Sequence, residues 1–225
     1  MCKTADQIVT VSESMKKRII SDYSVTPEKI SVVYNGVDGD MFSLGSDADC
    51  QYDVIALGSF MHPRKGFPYL ITVYKGLAAS GRKIADVGRR SDEQMKMLQS
   101  IEGVTVHGMV DTYTLRDLVR CSRTLISTSQ FEGFGLSLIE ALVCGHPAFA
   151  FSVGAVPEVL GSIDSSLVIP EKETDAMKIA VEEYLSRPAS DRDQQGLQYR
   201  NAVLERYSLE KSADALESVY DQINA

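Results

Sequence analysis

Several features that mark metal-binding, nucleic-acid-binding or membrane proteins are scarce in this chain of 225 residues. It has three histidines and four cysteines, and neither type recurs at the paired spacing of a zinc site or a disulfide framework. The formal net charge of −8 at pH 7 argues against a nucleic-acid surface. We find no apolar run near the length of a membrane span and no signal-peptide pattern. We therefore expect no bound metal, no nucleic-acid partner, no transmembrane segment and a reduced cytoplasmic setting.

Two familiar phosphate-binding signatures are also missing. A dinucleotide-binding domain carries Gly-x-Gly-x-x-Gly, but after Gly133 and Gly135 the third position is Leu138. A Walker loop is absent as well. Any phosphate that this acidic chain binds must therefore meet a local cluster of cations at another kind of loop.

Strand-like and helix-like segments alternate along the chain. The predicted strands are residues 7–11, 30–34, 52–58, 83–88, 104–108, 123–129, 148–152 and 167–169. The predicted helices are residues 12–23, 66–79, 92–100, 112–121, 136–144 and 156–160, and the chain from residue 171 is helical. Strands that alternate with helices of about 10–15 residues predict an α/β fold with a doubly wound, parallel, Rossmann-like sheet.

Two glutamates, Glu132 and Glu140, flank a glycine turn in the middle of the chain. Glu140 is the only charge between Leu136 and Cys144, a run that predicts a buried helix. Because the first amides of a helix lack intrahelical partners, a strand, a glycine turn and a helix together make an anion site. Glu140 follows Leu136 by one turn and faces the same side. Its carboxylate needs donors, which a neighbouring lysine or arginine or the hydroxyls of a ligand could supply.

Three loops with suitable chemistry follow predicted strands. They are residues 58–66, with adjacent cations Arg64 and Lys65; residues 88–91, with adjacent cations Arg89 and Arg90; and residues 132–135. In an open α/β sheet, ligands bind beyond the carboxyl ends of the strands, so we expect these loops to open on one edge. Taken singly, each basic pair could be solvated surface charge. Together they predict a site for a ligand with a phosphate end and a polyol end.

The chain resembles the C-terminal, donor-binding half of a GT-B fold retaining glycosyltransferase of family four, the glycosyl transferases group 1. Five motifs carry this resemblance in the same chain order as in the family. They are residues 5–12, Asn35-Gly36-Val37-Asp38, Arg64-Lys65-Gly66, Glu132-Gly133-Phe134-Gly135 through Glu140-Ala141, and Gly154-Ala155-Val156-Pro157-Glu158. The resemblance implies a glycosyltransferase (hexosyltransferase) that takes a nucleoside-diphosphate sugar.

The resemblance also implies roles for single residues. Lys65 would contact the donor diphosphate, Glu132 the transferred sugar and Glu140 the ribose hydroxyls. Lys65 and Glu132 are the predicted catalytic residues. The whole predicted donor-binding set is Gly58, Ser59, Arg64, Lys65, Arg89, Met109, Val110, Glu132, Gly133, Phe134, Gly135, Leu136 and Glu140. In that set, the Gly135 and Leu136 amides would hold the diphosphate, and backbone near Met109 and Val110 would touch the nucleobase. No cofactor or metal is expected, because fixed cations and the helix terminus stabilise the departing diphosphate.

The chain departs from the family pattern in two respects. Ser59 stands where the family usually has an arginine that partners the lysine, although Arg64 or Arg89 could compensate. The acceptor-binding half has no counterpart. We therefore expect residues 1–38 to be the last strand and helix of that missing domain plus a linker, residues 39–207 the nucleotide-sugar-binding domain, and residues 208–225 a C-terminal helix.

The second departure predicts that the isolated chain is inactive. A saccharide or lipid-linked acceptor would reach it through the missing N-terminal domain, and the full-length form could be peripheral to the membrane. Both departures also leave room for a noncatalytic nucleotide-sugar-binding or regulatory module, and for an interaction domain with a vestigial pocket.

One rival interpretation rests on two Asp-x-Asp triplets, which begin at Asp38 and Asp47. This is the metal-binding signature of the unrelated GT-A transferases. In an acidic chain such triplets arise readily in loops, and the first overlaps the Asn-Gly-Val-Asp motif. We interpret both as loop residues.

Overall fold

The computed structural model describes residues 5–224, which contain two parallel sheets. The small sheet pairs β1 (Ile8–Thr10) with β2 (Ile30–Val32). The large sheet contains β3 (Tyr52–Leu57), β4 (Ile84–Val87), β5 (Val104–Gly108), β6 (Ser122–Ser127), β7 (Ala148–Phe151) and β8 (Val168–Ile169). Its strands are all parallel and lie in the order β5-β4-β3-β6-β7-β8. The predicted α/β class and doubly wound parallel sheet are confirmed.

Some of the helices begin directly after a residue whose side chain caps them. The helices are α1 (Glu13–Tyr23), α2 (Phe67–Ala79), α3 (Asp92–Gln99), α4 (Thr112–Arg120), α5 (Leu136–Val143), α6 (Val156–Val159), α7 (Thr174–Leu185), α8 (Ala189–Tyr207) and α9 (Leu209–Asn224). The Ser12 side chain caps α1, and Ser91 forms a capping box at α3. The segment predicted as helical from residue 171 divides into α7, α8 and α9. Pro188 separates the first two, because the residue before a proline avoids helical backbone.

The large sheet is buried on both faces. Every residue of β4 and of β7 is buried, as expected for parallel strands covered by helices on each side. Helix α5 buries Leu138, Ile139, Ala141, Leu142 and Val143. This burial explains why the sequence of α5 is almost uninterrupted by polar residues.

The strand order reverses between β3 and β6. From β3 the chain builds outward through β4 and β5, and it then returns to place β6 on the other side of β3. A ligand crevice forms at such a switch point, beyond the carboxyl ends of the two strands. The loops that leave β3 and β6 are residues 58–66 and 128–135, two of the three loops singled out in the sequence. None of the helices within residues 5–224 is long and apolar enough to cross a membrane.

Candidate functional site

An open cleft of about 490 Å³ lies where the loops after β3 and β6 meet. Among residues 5–224, the lining comes from these two loops: Ser59, Met61, His62, Arg64, Lys65, Phe131, Glu132 and Gly133. The structure therefore brings the first and third predicted loops together. Five members of the predicted donor-binding set, Ser59, Arg64, Lys65, Glu132 and Gly133, share this cleft.

The two predicted catalytic residues form an ion pair across the cleft. Lys65 Nζ lies 2.6 Å from Glu132 Oε1. The Lys65 side chain is 35% exposed and that of Glu132 is 18% exposed, so both remain accessible from solvent. A phosphate could attract the ammonium and a sugar hydroxyl could donate to the carboxylate, so the pair offers a polar ligand one group of each sign.

Close backbone packing holds the lysine loop against the end of β6. The Gln130 amide donates to Arg64 O at 2.7 Å. Gly66 has a φ of +71°, and a Cβ at this position would lie 2.0 Å from Thr128 O. Only glycine allows this approach, so Gly66 sets the distance between Lys65 and the glutamate loop.

Two other segments form hydrogen bonds with the backbone around Glu132. The Ala155 amide donates to Glu132 O at 2.9 Å, and the Ser12 hydroxyl donates to Gly133 O at 2.7 Å. Gly154 has a φ of +53°, and a Cβ there would lie 2.1 Å from Glu132 O. The position of the Glu132 backbone, and hence of its carboxylate, therefore depends on the glycine turn at Gly154, which is distant from Glu132 in sequence and adjacent to it in the fold.

We expect Gly154→Ala to destabilise the protein more than Gly81→Ala. Both glycines have positive φ, so both substitutions place a side chain in left-handed backbone at a cost of about 1–2 kcal/mol. At Gly81 no atom of residues 5–224 lies within 4 Å of the added Cβ, whereas at Gly154 the Glu132 backbone must move. We expect an additional loss of about 1–3 kcal/mol in unfolding free energy, measured by urea denaturation. Equal losses for the two variants would show that the contact with Glu132 is not tight.

Glu140 lies one turn into α5, on a helix whose first turn has no side-chain cap. The helix begins at Gly135, with a φ of +92°, and this residue offers no capping group to the amides that follow. Glu140 is half-buried, and burial raises the pKa of its carboxyl. Among residues 5–224 no side chain forms a hydrogen bond or ion pair with this carboxylate. The alternative of a neighbouring lysine or arginine as its partner is therefore not realised in the described part of the chain.

In the second basic loop, residues 88–91, Arg90 and not Arg89 turns toward the loop after β3. Arg89 is exposed and does not line the cleft. The side chain of Arg90 turns inward instead and forms an ion pair with Asp86 at 2.8 Å, both side chains being 0% exposed. Its Nη1 donates to Gly58 O and Arg89 O, and its guanidinium lies 4.4 Å from the centre of the Phe60 ring. Arg90 thus supports the loop after β3 from beneath, a role that sequence reasoning missed.

The remaining predicted site residues lie outside the cleft lining. Met109 is 74% exposed just after β5, and Val110 packs against the core. Phe134 is 3% exposed, with its ring against Tyr34 and Tyr207, so its side chain belongs to the core. Only the backbone of Phe134 remains available to a ligand. Leu136 is 43% exposed at the first turn of α5, and Gly58 lies over the Lys65 side chain.

Glu158 is a second residue whose role sequence reasoning missed. Its carboxylate accepts hydrogen bonds from the Glu13 and Ser14 amides at 2.9 and 3.0 Å and from the Tyr34 hydroxyl at 2.7 Å. It therefore caps α1 from a distant part of the chain and fixes that helix beside the glutamate loop. Burial and this contact raise the pKa of Tyr34, so the hydroxyl remains a donor. The sequence offered one indication of this role, because Glu158 is the acidic residue that ends the Gly154–Glu158 motif.

The aspartates of the two Asp-x-Asp triplets have other partners. Asp38 Oδ1 accepts from the Asp40 and Met41 amides, as in a loop. Asp47 forms ion pairs with Arg192 and Arg123, and these contacts hold its pKa below the usual range. Across residues 5–224 no three histidine, cysteine, aspartate or glutamate side chains lie close enough together to hold a metal ion.

Comparison with known proteins adds family information to this geometry. Residues 51–187 match the family model described as Glycosyl transferases group 1, and residues 1–40 match the one described as Glycosyltransferase Family 4. The D-inositol 3-phosphate glycosyltransferase of Mycobacteroides abscessus is 25% identical over 96% of this chain and 52% of its own length. The chain spans about half the length of the curated relatives it matches.

Two solved structures illustrate the similarity in fold. TarM of S. aureus superposes with a TM-score of 0.82 at 21% identity, over all of this chain and 44% of TarM. Anabaena HepE in complex with UDP and glucose superposes with a TM-score of 0.79 at 16% identity, over 99% of this chain and 64% of HepE. These similarities identify the fold as that of the GT-B enzymes.

Proposed function

Because the chain belongs to the glycosyl transferases group 1 family, we propose that its cleft binds a nucleoside-diphosphate sugar for retaining, metal-independent glycosyl transfer. One observation carries the proposal. The Lys65–Glu132 pair stands beside a helix that has no side-chain cap, and one turn further on the Glu140 carboxylate has no side-chain partner among residues 5–224. The resulting series of groups is complementary to a sugar, a diphosphate and a ribose in that order.

Each group has a distinct task in this proposal. Glu132 accepts hydrogen bonds from the hydroxyls of the transferred sugar, and Lys65 neutralises the diphosphate. The amides at Gly135 and Leu136 add the positive end of the α5 dipole where charge develops on the leaving group. Glu140 accepts from the ribose hydroxyls. When a donor enters, phosphate and sugar replace the Lys65–Glu132 contact, so neither charge is left without a partner.

The chain provides the donor side of this reaction. The curated relatives are about twice as long as the part they share with it. We propose that residues 5–224 bind the donor and that a further domain supplies a saccharide or lipid-linked acceptor. On this proposal the isolated chain binds nucleotide sugar without transferring it.

A noncatalytic nucleotide-sugar-binding module is the second candidate. The observation that favours it is Ser59, which lines the cleft at the position where the family usually has an arginine. A serine adds no charge to stabilise a departing diphosphate. Loss of one preorganised donor costs about 10²–10³ in rate, whereas ground-state binding still has Lys65 and α5. Donor hydrolysis or transfer assayed after addition of the acceptor domain separates the two candidates.

The proposal is tested by nucleotide-sugar binding followed as a thermal shift. UDP-, GDP- and ADP-sugars form the screen, with UDP-glucose first because HepE was solved with UDP and glucose. A ligand at 100 times its dissociation constant stabilises the folded state by about 2.7 kcal/mol. We expect one nucleoside-diphosphate sugar to produce such a shift and free glucose to produce none. No shift with any of the three would contradict the proposed function.

The pH dependence of that binding tests the role of Glu140. Because burial raises the pKa of Glu140, the carboxylate becomes protonated at a higher pH than an exposed glutamate. A neutral carboxyl accepts ribose hydrogen bonds more weakly, so donor affinity should decrease as pH falls through the raised pKa. We expect Glu140→Gln to bind more weakly at neutral pH and to lose this pH dependence, measured by calorimetry between pH 5 and 8. An unchanged pH profile in the variant would exclude Glu140 from the site.

A further inference from the structure

Helix α1 and the residue that caps it pack along the loop that carries Glu132. The Ser12 hydroxyl donates to Gly133 O at 2.7 Å. Further along the same helix, the Arg18 guanidinium lies 4.6 Å from the centre of the Phe131 ring. Phe131 and Gly133 are the two neighbours of Glu132 in sequence. This helix therefore contacts the glutamate loop on both sides of the proposed sugar ligand.

Ser12 joins the start of α1 to the loop through a single oxygen atom. The residue is 0% exposed, and its hydroxyl accepts from the Met15 amide at 3.1 Å while it donates to Gly133 O. A serine hydroxyl has one hydrogen to donate, and here that hydrogen goes to the loop. The same oxygen thus caps the helix and holds the peptide that follows Glu132, although 121 positions separate Ser12 from Gly133.

A second set of contacts fixes α1 in place. The Glu158 carboxylate accepts from the first two amides of α1 at 2.9 and 3.0 Å. Glu158 belongs to α6, which begins directly after Ala155, and the Ala155 amide donates to Glu132 O at 2.9 Å. Helix α6 therefore holds the Glu132 backbone on one side and α1 on the other. The Ser12 hydroxyl closes this ring of contacts, because it connects α1 back to the glutamate loop.

We propose that Ser12 is a positioning residue for recognition of the donor sugar. Its hydroxyl fixes the peptide after Glu132 and so holds the carboxylate where the sugar hydroxyls reach it. Lys65 lies on another loop, which Gly66 holds against the end of β6, so the diphosphate contact does not depend on Ser12. The inference rests on the proposed function, in which Glu132 binds the sugar. It adds that residues 1–38, which the sequence assigns to the acceptor side, take part in donor recognition.

The test compares two affinities measured by calorimetry, one for the nucleotide sugar found in the screen and one for its nucleoside diphosphate. Ser12→Ala should lower the affinity for the nucleotide sugar about three- to tenfold, the range expected for loss of one hydrogen bond. The affinity for the nucleoside diphosphate should stay within about twofold of wild type. Ser12→Thr keeps a hydroxyl that can cap and donate, so it should restore the wild-type ratio of the two affinities.

Ser91→Ala is the matched control for the loss of a helix cap. Ser91 caps α3, and its hydroxyl accepts from the Gln94 amide within that helix. Both alanine variants should melt about 2–4 °C lower, but only Ser12→Ala should change the ratio of affinities. Ser12→Gly provides a second variant in case Ser12→Ala does not fold. Glycine is tolerated at an N-cap and also lacks the hydroxyl, so the same change in ratio is expected.

Hydrogen exchange measures the coupling from the opposite direction, because coupling between two sites is reciprocal. In the wild type, the α1 amides that donate to Glu158 should exchange more slowly with the nucleotide sugar bound than with the nucleoside diphosphate bound. This difference should disappear in Ser12→Gly, which retains the Glu158 contacts. Equal exchange with both ligands in the wild type would contradict the coupling.

The affinity ratio decides the role of Ser12. A ratio that Ser12→Ala and Ser12→Gly both leave unchanged, or that Ser91→Ala lowers equally, overturns the inference. Failure of the proposed function is recognised separately, because the wild type then binds no nucleotide sugar in the screen.

Discussion

Replacing Lys65 with methionine should weaken nucleoside-diphosphate-sugar binding by roughly ten- to a hundredfold. Methionine keeps the length and apolar stem of the side chain and removes only the ammonium. A charge-assisted hydrogen bond contributes about 1.5–3 kcal/mol, which corresponds to this range of affinity. The variant also leaves Glu132, 18% exposed, without its partner 2.6 Å away. That carboxylate then repels the incoming diphosphate, so the loss should lie toward the upper end.

Two further variants make the Lys65 result specific. Lys75→Met removes an exposed lysine of α2 that lies outside the cleft, and calorimetry should give the wild-type affinity. Lys65→Met combined with Glu132→Gln removes the unpaired carboxylate and should recover part of the diphosphate affinity while sugar contacts remain weakened. Comparing the nucleotide sugar found in the screen with its nucleoside diphosphate separates these two effects. An affinity unchanged by Lys65→Met would remove this residue from the donor site.

The sequence predicted those parts of the site whose geometry is local. Gly135 and the apolar run behind it determine where α5 begins, and Glu140 follows from helical spacing alone. The strand-end loops were predictable because parallel strands place their carboxyl ends on one edge. Residues 1–4, the start of the predicted N-terminal segment, lie outside the described residues.

Other features depend on tertiary contacts and could not be predicted from local patterns. Whether Arg89 or Arg90 turns inward is decided by Asp86 and Phe60, which the fold brings to the same place. Phe134 lies in a glycine turn that resembles a ligand loop, yet Tyr34 and Tyr207 from distant segments cover its ring. The role of Glu158 likewise requires α1 to lie beside it. Spacing in sequence carries no information about such contacts.

The pair formed by Asp86 and Arg90 connects stability to the cleft. Both side chains are fully buried, and Asp86 also accepts from the Tyr74 hydroxyl at 3.1 Å. Burial raises the pKa of Asp86, and the nearby guanidinium opposes that rise. Within the described part of the chain, Asp86 Oδ1 and Arg90 Nε already lack a hydrogen-bond partner, so loss of a further contact is not offset by a neighbouring polar group. Removal of either partner should leave an uncompensated buried charge.

We expect Arg90→Met to lower the free energy of unfolding by about 3–5 kcal/mol, the usual cost of breaking a buried ion pair. Arg116→Met is the matched control, because Arg116 pairs with Asp117 at the surface and should change stability by at most about 1 kcal/mol. Combining Arg90→Met with Asp86→Asn removes both charges and should recover part of the loss. Urea denaturation at neutral pH measures all three. A loss of less than about 1 kcal/mol for Arg90→Met would contradict the claim that Arg90 compensates a buried charge on Asp86.

The pH dependence of the Arg90→Met variant gives the decisive test, because it depends on the sign of the charge left behind. Without the guanidinium, the pKa of Asp86 should rise further above its unfolded value. The folded state then binds a proton that the unfolded state releases, so the stability of the variant should be greatest at low pH and be lost as pH rises through the raised pKa. The difference in unfolding free energy between wild type and Arg90→Met should therefore be smaller at pH 5 than at pH 8. Adding Asp86→Asn to the variant should abolish this pH dependence. Because Arg90 also donates to Gly58 O beneath the cleft, donor affinity should fall in the folded fraction of the same variant and should not recover with Asp86→Asn. If the double variant recovers stability but not donor affinity, the two roles of Arg90 are distinct: its charge compensates Asp86, and its hydrogen bond to Gly58 O supports the cleft loop.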